Sequence, residues 1–289
     1  MKVKSVALAA LLLSGAQSAA AADYTVIVEP NYPPAQAREV YEPLLSYLAK
    51  ATGHRFFLKT TPNYHVYWRD MRNNAPTDFA FEEAHFTDYR INRQKFVPLV
   101  RVADPTRFTL LVGDAMAEAG AQGLVGHRIV SMSAPSLGYL LLGDIYKNPI
   151  SQPEIQSVAA SWKDGVEMVF AGETDAAMVP NYIAREYPNL IPVNESREFP
   201  GRALSAAPTV PPGVRTAVAN AMLKLHEDAN QNSVLTELGA TQFVPAGKAD
   251  YAGNEALLRG VFGYQPLRSA PAAAPAQPAP AAATTPPRG

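Results

Sequence analysis

The order of strand-like and helix-like segments constrains the fold of this chain more than any other feature of its sequence. Residues 24–28 alternate like a short strand, residues 35–53 carry apolar side chains at helical spacing, and residues 56–58 are again strand-like. A second helical pattern over 62–73 and an apolar strand at 78–81 complete a β-α-β-α-β order. This order predicts a parallel sheet covered by helices and connected by right-handed crossovers.

The same alternation begins again after residue 101, which predicts a second α/β unit. Its predicted strands lie at 108–112, 128–131 and 176–179. The helices between them are predicted at 136–146 and 163–171. A strand at 203–206 then leaves this unit, and helices follow at 211–228, 233–238 and 250–262.

These patterns predict an α/β fold of two lobes, each a mostly parallel sheet flanked by helices. Lobe I takes residues 23–104 and 204–268, and lobe II takes residues 105–203. The chain would cross between the lobes near 103–106 and 200–203, and the two crossings would form a hinge.

The first 22 residues have the order of a secretory signal peptide. Lys2 and Lys4 precede an apolar run over 6–13, and small residues follow up to Ala22. An apolar run of about eight residues is much shorter than the roughly 20 that span a bilayer. A buried N-terminal helix is the alternative, but the segment has no helix cap. We predict export to the periplasm as a soluble protein, with residues 1–22 removed.

Composition excludes several kinds of chemistry. The sequence has no cysteine, which rules out disulfides, a thiol nucleophile, a thiolate metal site and lipid attachment at an N-terminal cysteine. The formal net charge of -1 gives no reason to expect binding to nucleic acid or to an anionic membrane. Residues 269–289 are almost entirely Ala, Pro and Thr, which predicts a disordered tail.

A ligand site is predicted between the two lobes. In open α/β sheets ligands bind beyond the carboxyl ends of the strands, where helix N-termini present free backbone N–H groups. The loops in these positions carry polar and aromatic residues that also serve turns and lobe cores elsewhere. The candidate ligand-binding residues are Asn31, Tyr32, Tyr64, Glu83, His85, Ser133, Ser136, Leu137, Gly138, Asn181 and Tyr182.

Two of these loops allow more than one interpretation. Residues 133–138 fit anion binding at a helix N-terminus, but from the residues alone ordinary helix capping by Ser133 is the favoured interpretation. The cluster of Glu82, Glu83, His85 and Asp88 could bind a metal, hold an ammonium group, act as acid and base, or be structural. Among the functional alternatives we favour ligand binding over catalysis, because no nucleophile or third metal ligand has a recognisable spacing to His85. A glutamate that faces the cleft would favour a zwitterionic ligand bearing an amine.

Several short motifs occur in an order found in a known family: Pro43-Leu44, Thr52-Gly53, and residues 78–81, 135–139, 171–177, 238–240 and 243–245. Over residues 24–262 the sequence resembles the phosphate/phosphite/phosphonate-binding periplasmic components of ABC transporters. The resemblance implies a type II periplasmic-binding-protein fold, which closes over a small ligand and passes it to a membrane permease.

Two positions depart from the pattern of this family. Members commonly seat a phosphonate on a hydroxyl-rich turn at a helix N-terminus, and at the corresponding residues 135–139 only Ser136 supplies such a hydroxyl. Ser131 and Ser133 lie just before the turn and could compensate. Where members often have a histidine at the start of the next helix, this chain has Trp162, which joins the candidate binding residues.

The resemblance implies a function in binding and transport. We expect the chain to capture a small anionic or zwitterionic solute, a phosphorus oxyanion in particular, for an ABC importer. The expected partners are this ligand and a permease in the inner membrane. The alternative is a ligand-sensing or adaptor module for a sensor protein. We expect a monomer that is not an enzyme and that needs no metal or cofactor.

Overall fold

The computed structural model describes residues 21–266. The predicted tail, and all but the last two residues of the predicted signal peptide, lie outside the described residues. The strands are β1 Asp23–Val28, β2 Arg55–Lys59, β3 Phe79–Glu82, β4 Val97–Val102, β5 Phe108–Val112, β6 Arg128–Val130, β7 Glu154–Gln156, β8 Ala176–Pro180, β9 Ile191–Glu195, β10 Ala203–Ala206 and β11 Phe243–Pro245. The α-helices are α1 Pro34–Thr52, α2 Tyr64–Arg72, α3 Ala84–Tyr89, α4 Leu137–Ile145, α5 Trp162–Phe170, α6 Asn181–Ala184, α7 Pro212–Leu223, α8 Asn232–Glu237 and α9 Lys248–Tyr251.

The strands form two separate sheets, which define the two lobes. Lobe I is built on a six-stranded sheet of order β11-β4-β10-β3-β1-β2, and lobe II on a five-stranded sheet of order β7-β6-β8-β5-β9. Helices α1 and α7 pack together in lobe I, whereas α4 and α5 pack on β8 in lobe II. The predicted two-lobed α/β fold is confirmed.

Both sheets are mixed rather than mostly parallel. The pairs β1–β2, β1–β3, β6–β7 and β6–β8 are parallel, as the crossovers predict. Strand β10 runs antiparallel to β3 and β4, and β5 runs antiparallel to β8 and β9. The direction changes because β4 carries the chain out of lobe I and β10 brings it back, so these neighbours must run in opposite directions.

The local sequence of helix α1 determines where the helix begins, where it ends and which face it buries. Pro34 stands in its first turn, where a missing N–H costs nothing. The helix ends at Gly53, which has a φ of 74° and whose N–H bonds the carbonyl of Ala49. The face toward the core carries Ala37, Tyr41, Leu44, Leu45 and Leu48, all of them buried.

The two chain crossings between the lobes lie side by side. Thr106 and Phe199 exchange backbone hydrogen bonds of 3.0 and 2.8 Å, and the N–H of Val102 bonds the carbonyl of Arg202 at 2.9 Å. Gly201 lies against the backbone of the first crossing. This pairing holds the carboxyl ends of β1, β2 and β3 opposite the carboxyl ends of β6 and β8.

None of the helices within residues 21–266 is long and apolar enough to cross a membrane.

Candidate functional site

The interlobe cleft is walled by the loops that follow the parallel strands. On lobe I, Asn31, Tyr64 and His85 follow β1, β2 and β3. On lobe II, Ser133 follows β6 and Trp162 follows β7. The loops therefore lie where the sequence predicts them, because parallel strands bring their carboxyl ends to one edge of a sheet.

Three predicted site residues meet at one atom. The hydroxyl of Tyr64 donates a hydrogen bond of 2.6 Å to Asn31 Oδ1, and the indole N–H of Trp162 donates one of 3.0 Å to the same oxygen. Asn31, Tyr64 and Trp162 are all buried. Because Trp162 belongs to lobe II and the other two to lobe I, this contact joins the lobes across the cleft.

His85 makes a second contact between the lobes. Its Nε2–H donates to the carbonyl of Pro135 at 3.0 Å, since a carbonyl oxygen can only accept. Burial lowers the pKa of His85 to about 3, and the bond to Pro135 opposes this only in part. The ring is therefore neutral, and its Nδ1 is a buried acceptor without a partner.

The side chains at the start of α4 make structural contacts within lobe II. Ser136, rather than Ser133, is the N-cap: its hydroxyl donates to Met132 O at 2.9 Å and accepts from the Tyr139 N–H at 3.3 Å. Leu137 is buried in the core of lobe II. A Cβ on Gly138 would lie 3.0 Å from the Trp162 ring, so the absence of a side chain at this position leaves room for the ring.

The two residues after β8 have different surroundings. The side chain of Asn181 donates to the carbonyl of Pro105 at 3.1 Å, so it ties α6 to the first chain crossing. The ring of Tyr182 packs against Arg202, whose guanidinium carbon lies 4.7 Å from the ring centroid. A Cβ at position 239 of lobe I would overlap the ring of Tyr182, so Gly239 leaves room for this side chain. Tyr182 thus lies between the lobes, whereas Asn181 supports the crossing.

The polar cluster after β3 is divided between three environments. Glu82 is fully buried within lobe I and pairs with Arg90. Asp88 accepts the backbone N–H of Glu255 at 2.8 Å and anchors the C-terminal segment. Glu83 and His85 lie at the cleft. Within residues 21–266, no group of three or more His, Asp or Glu side chains is arranged to hold a metal ion.

Sequence reasoning missed two residues at the cleft, Glu29 and Arg202. Glu29 follows β1 directly and is 2% exposed. Arg202 precedes β10, and its Nε lies 3.8 Å from Glu83 Oε1, while Nη2 donates to the carbonyl of Leu238. The position of Glu29 after an apolar strand is a signal that could have found it. Arg202 had no comparable signal, because its partner is more than a hundred residues away in sequence.

Buried polar atoms without hydrogen-bond partners are concentrated at the strand ends that form the cleft. Among the described residues, six of the nine such atoms belong to Glu29, Thr61, Glu83, His85 and Ser131. These residues follow β1, β2, β3 and β6. Buried polar groups are rarely left unsatisfied, so this concentration makes the strand ends the candidate position for a bound ligand.

An open cavity of about 200 Å³ is lined by Pro30, Pro62 and Met132, which follow Glu29, Thr61 and Ser131 directly in the sequence. Both lobes line it, with Tyr32, Asn63 and Tyr64 from lobe I and Ser133 and Ser157 from lobe II. The hydroxyl of Tyr32 donates to the carbonyl of Glu237 at 3.4 Å at the rim. The volume suits a small solute rather than a macromolecule.

The sequence matches the profile of one protein family over residues 26–251, described as "ABC transporter, phosphonate, periplasmic substrate-binding protein". The chain belongs to this phosphonate-binding family. No protein of curated function matches the sequence significantly.

Solved structures show that the fold is shared with this family. A phosphonate-binding protein from Prochlorococcus marinus, solved in complex with methylphosphonate, is 13% identical, with a TM-score of 0.69, over 82% of this chain and 97% of that chain. A binding-protein component of a phosphonate ABC transporter from Pseudomonas aeruginosa is 13% identical, with a TM-score of 0.64, over 83% of this chain and 85% of that chain. A Xanthomonas citri protein solved with ATP bound has a TM-score of 0.62 at 14% identity, over 82% of this chain and 97% of that chain.

The two acids at the cleft of this phosphonate-binding family member have raised pKa values. Burial raises the pKa of Glu83 to about 7, while the charge of Arg202 acts in the opposite direction. Burial, and then the charges of Glu83 and Glu82, raise the pKa of Glu29 well above its usual value, while the charge of Arg202 and the nearby backbone N–H of Glu83 act in the opposite direction. Both groups therefore favour the protonated state in the folded protein more than in the unfolded chain.

Glu83→Gln is expected to gain stability relative to wild type as pH rises from about 5 to about 8. A raised folded-state pKa contributes stability that is present below the unfolded value and lost as pH rises through the folded value. The variant keeps a neutral side chain at every pH. The difference in free energy of unfolding should therefore grow by about 1–3 kcal/mol, at about 1.4 kcal/mol for each pKa unit.

Urea unfolding of both proteins at each pH measures this difference, and the contribution of His85 cancels because both proteins contain it. Glu39→Gln, an exposed change on α1, provides the control and should show no such trend. A Glu83→Gln difference that stays constant between pH 5 and pH 8 would contradict the raised pKa.

Proposed function

We propose that this protein captures a small phosphorus oxyanion, such as phosphate, phosphite or a phosphonate, between its lobes. It then delivers the ligand to an ABC permease in the inner membrane. Membership of the phosphonate-binding family supports the ligand class and the partner. The observation that carries the binding site is the pair of buried hydroxyls without partners at the ends of β2 and β6, those of Thr61 and Ser131, because a hydroxyl can donate to an oxyanion. The protein acts as a monomer after export and removal of its signal peptide.

The oxyanion binds at the wall formed by lobe II. The first backbone N–H groups of a helix have no intrahelical acceptor and carry a partial positive charge, and α4 and α5 both begin at the cleft. The hydroxyl of Ser131 is buried without a partner, and Ser133 lines the open cavity. These two serines donate to the oxyanion, whereas Ser136 holds the helix start in place as its cap.

Closure of the lobes completes the site. Trp162 and Tyr64 reach Asn31 from opposite lobes, and His85 reaches Pro135, only when the two walls meet. The paired crossings permit rotation of one lobe against the other, which is the usual way that such proteins enclose a ligand. Binding requires converging donors and this closure, without any covalent step.

Thermal unfolding tests the ligand class. The midpoint of the protein should rise by a few degrees with one of phosphate, phosphite or methylphosphonate, because a ligand at about 100 times its Kd stabilises by roughly 2.7 kcal/mol. Ser131→Ala and Ser133→Ala should each reduce the shift. Ser233→Ala, an exposed change on α8, should leave it unchanged.

The panel also contains sulfate, divalent metals and amino acids. A shift with one of these and none with any phosphorus oxyanion would overturn the proposed ligand class. An equal loss of the shift in Ser131→Ala, Ser133→Ala and Ser233→Ala would remove the lobe II wall from the site.

A further inference from the structure

A second cavity, of about 470 Å³, lies between the lobes and is larger than the cavity at the cleft. Lobe I lines it with α2 and residues 259–262, and lobe II lines it with residues at and just before the start of α4. The two cavities share no lining residue. Ligand sites usually have volumes of about 300–1,000 Å³, so this cavity is large enough for a small organic molecule.

The charge that lines this cavity is positive. Arg72 and Arg259 line it together with the imidazole of His65, and none of the described lining residues is an Asp or Glu. Within residues 21–266 neither arginine forms an ion pair. Asp144 lines an adjoining cavity that shares Arg259, but the two do not pair. Two guanidinium groups without counterions make an anion the complementary ligand.

Arg72 is held in position and has unused hydrogen-bond donors. Its guanidinium carbon lies 5.5 Å from the centroid of the Trp68 ring and 6.0 Å from that of the Phe262 ring. Its one hydrogen bond to the described residues is a long one, of 3.5 Å from Nη1 to the Gly263 carbonyl, and its buried Nε has no acceptor there. A guanidinium presents its N–H donors in a fixed plane, so this side chain is preorganised for an oxyanion such as a carboxylate.

Aromatic side chains line the cavity beside these cations. Trp68 and Tyr139 come from opposite lobes, and Phe262 is 89% exposed. The backbone at Phe262 is fixed, since its carbonyl accepts a hydrogen bond of 2.9 Å from the indole N–H of Trp68. An exposed aromatic ring on fixed backbone in the lining of a cavity offers a packing surface for a planar ring.

We infer that this cavity is a second binding site, for a small aromatic compound that carries an anionic group such as a carboxylate. The anionic group pairs with Arg72 and Arg259, and the ring packs against Phe262 and Tyr139. This site goes beyond the proposed function, because it shares no residue with the cavity at the cleft.

Binding at the second site favours closure of the lobes. Consecutive residues of one loop line the two cavities, Met132 and Ser133 the cleft cavity and Ala134 and Pro135 the second one. The Pro135 carbonyl also accepts the interlobe hydrogen bond from His85. A ligand that contacts both lobes binds the closed arrangement more tightly, so each ligand should raise the affinity for the other. This coupling, unlike the site itself, rests on the proposed function.

Titration calorimetry with β-naphthoate tests the site. This anion should bind wild type at least about tenfold more tightly than β-naphthylmethanol, which has the same ring without the charge, because charge-assisted hydrogen bonds are the stronger ones. Decahydro-β-naphthoate, which has the charge without the aromatic ring, should bind several-fold more weakly than β-naphthoate. Arg259→Met and Arg72→Met should each reduce the preference for the anion over the alcohol several-fold. Phe262→Ala should weaken both ligands by a similar factor and preserve their ratio.

Arg38→Met provides the matched control. Arg38 is an exposed arginine on α1 that does not line the cavity, so its loss should leave both affinities unchanged. Equal affinities of wild type for β-naphthoate and the alcohol, or equal losses in Arg38→Met and Arg259→Met, would overturn the site. An absence of β-naphthoate binding at millimolar concentration would also overturn it, and would leave the cavity to an aromatic side chain of a partner protein.

The phosphorus oxyanion that shifts the thermal midpoint tests the coupling. At saturation it should raise the affinity for β-naphthoate at least about fivefold, the lower end of the usual range of allosteric coupling. A fall in affinity would show competition for the cleft and would overturn the second site, whereas an unchanged affinity would overturn the coupling alone. Binding of β-naphthoate by a protein that binds no phosphorus oxyanion would support this site and overturn the proposed ligand class.

Discussion

Arg90→Met is expected to lower the free energy of unfolding by about 3–5 kcal/mol, because it leaves Glu82 charged and buried without a cation. Both side chains are at most 2% exposed. Arg90 Nε donates to both oxygens of Glu82, at 2.6 and 2.8 Å, and Tyr67 donates to the same carboxylate. The guanidinium also donates to Gln94 at 2.8 Å and lies 5.0 Å from the centroid of the Phe96 ring.

Urea unfolding monitored by far-ultraviolet circular dichroism measures this loss. Arg69→Met is the matched control, since Arg69 also pairs with a carboxylate, that of Asp70 at 2.8 Å, but is largely exposed. An exposed pair of this kind contributes at most about 1 kcal/mol. Equal effects of the two substitutions would mean that the buried pair is not a main support of lobe I.

The double variant Glu82→Leu, Arg90→Met provides a further check. Replacement of a buried ion pair by apolar groups is often neutral, whereas removal of one partner is not. The double variant should therefore regain much of the stability that Arg90→Met loses. Recovery will be incomplete, because the hydroxyl of Tyr67 loses its acceptor.

Gly201→Ala is expected to cost about 3 kcal/mol of stability, at the upper end of the usual range for overpacking. An added Cβ would lie 2.6 Å from the carbonyl oxygen of Asp104 and would also collide with that of Val102. Both atoms are backbone and cannot turn aside as a flexible side chain would. The two crossings would have to separate, which strains the bond from the Val102 N–H to Arg202 O and the bond from the Tyr251 hydroxyl to Gly201 O.

Gly213→Ala is the control for this substitution. Gly213 lies in the first turn of α7, and nothing is within 4 Å of the position of its Cβ. Alanine should be neutral there or stabilising by about 0.5–1 kcal/mol, because glycine loses more backbone entropy in a helix. Thermal midpoints of the two variants measure the contrast, and a stable Gly201→Ala protein would show that the crossings tolerate separation.

Local sequence patterns were sufficient for the architecture and for the loops of the site. The alternation of strands and helices predicts the two lobes, because periodicity depends only on which side chains face a core. The rule that ligands bind at strand ends then selects Asn31, Tyr64, Glu83 and His85. The pairing of the antiparallel strands β10 and β11 was harder to predict from the sequence, because it depends on where the chain returns after lobe II.

The assignment of single side chains to the cleft depended on the tertiary structure. Glu82 and Glu83 are adjacent in sequence, yet only Glu83 lies at the cleft, because Arg90 and Tyr67 converge on Glu82 inside lobe I. Ser136 looks like a ligand contact in the sequence, but its hydroxyl is used by the backbone of α4.

The sequence by itself determined the elements, their order and the edge of each sheet at which a ligand can bind, since these follow from short-range periodicity. Only the tertiary structure decided which polar groups lie together and without partners. Glu29, Glu83 and Arg202 come from three distant segments, and their surroundings depend on packing between them. The burial that raises the pKa of both acids exists only after the lobes have formed.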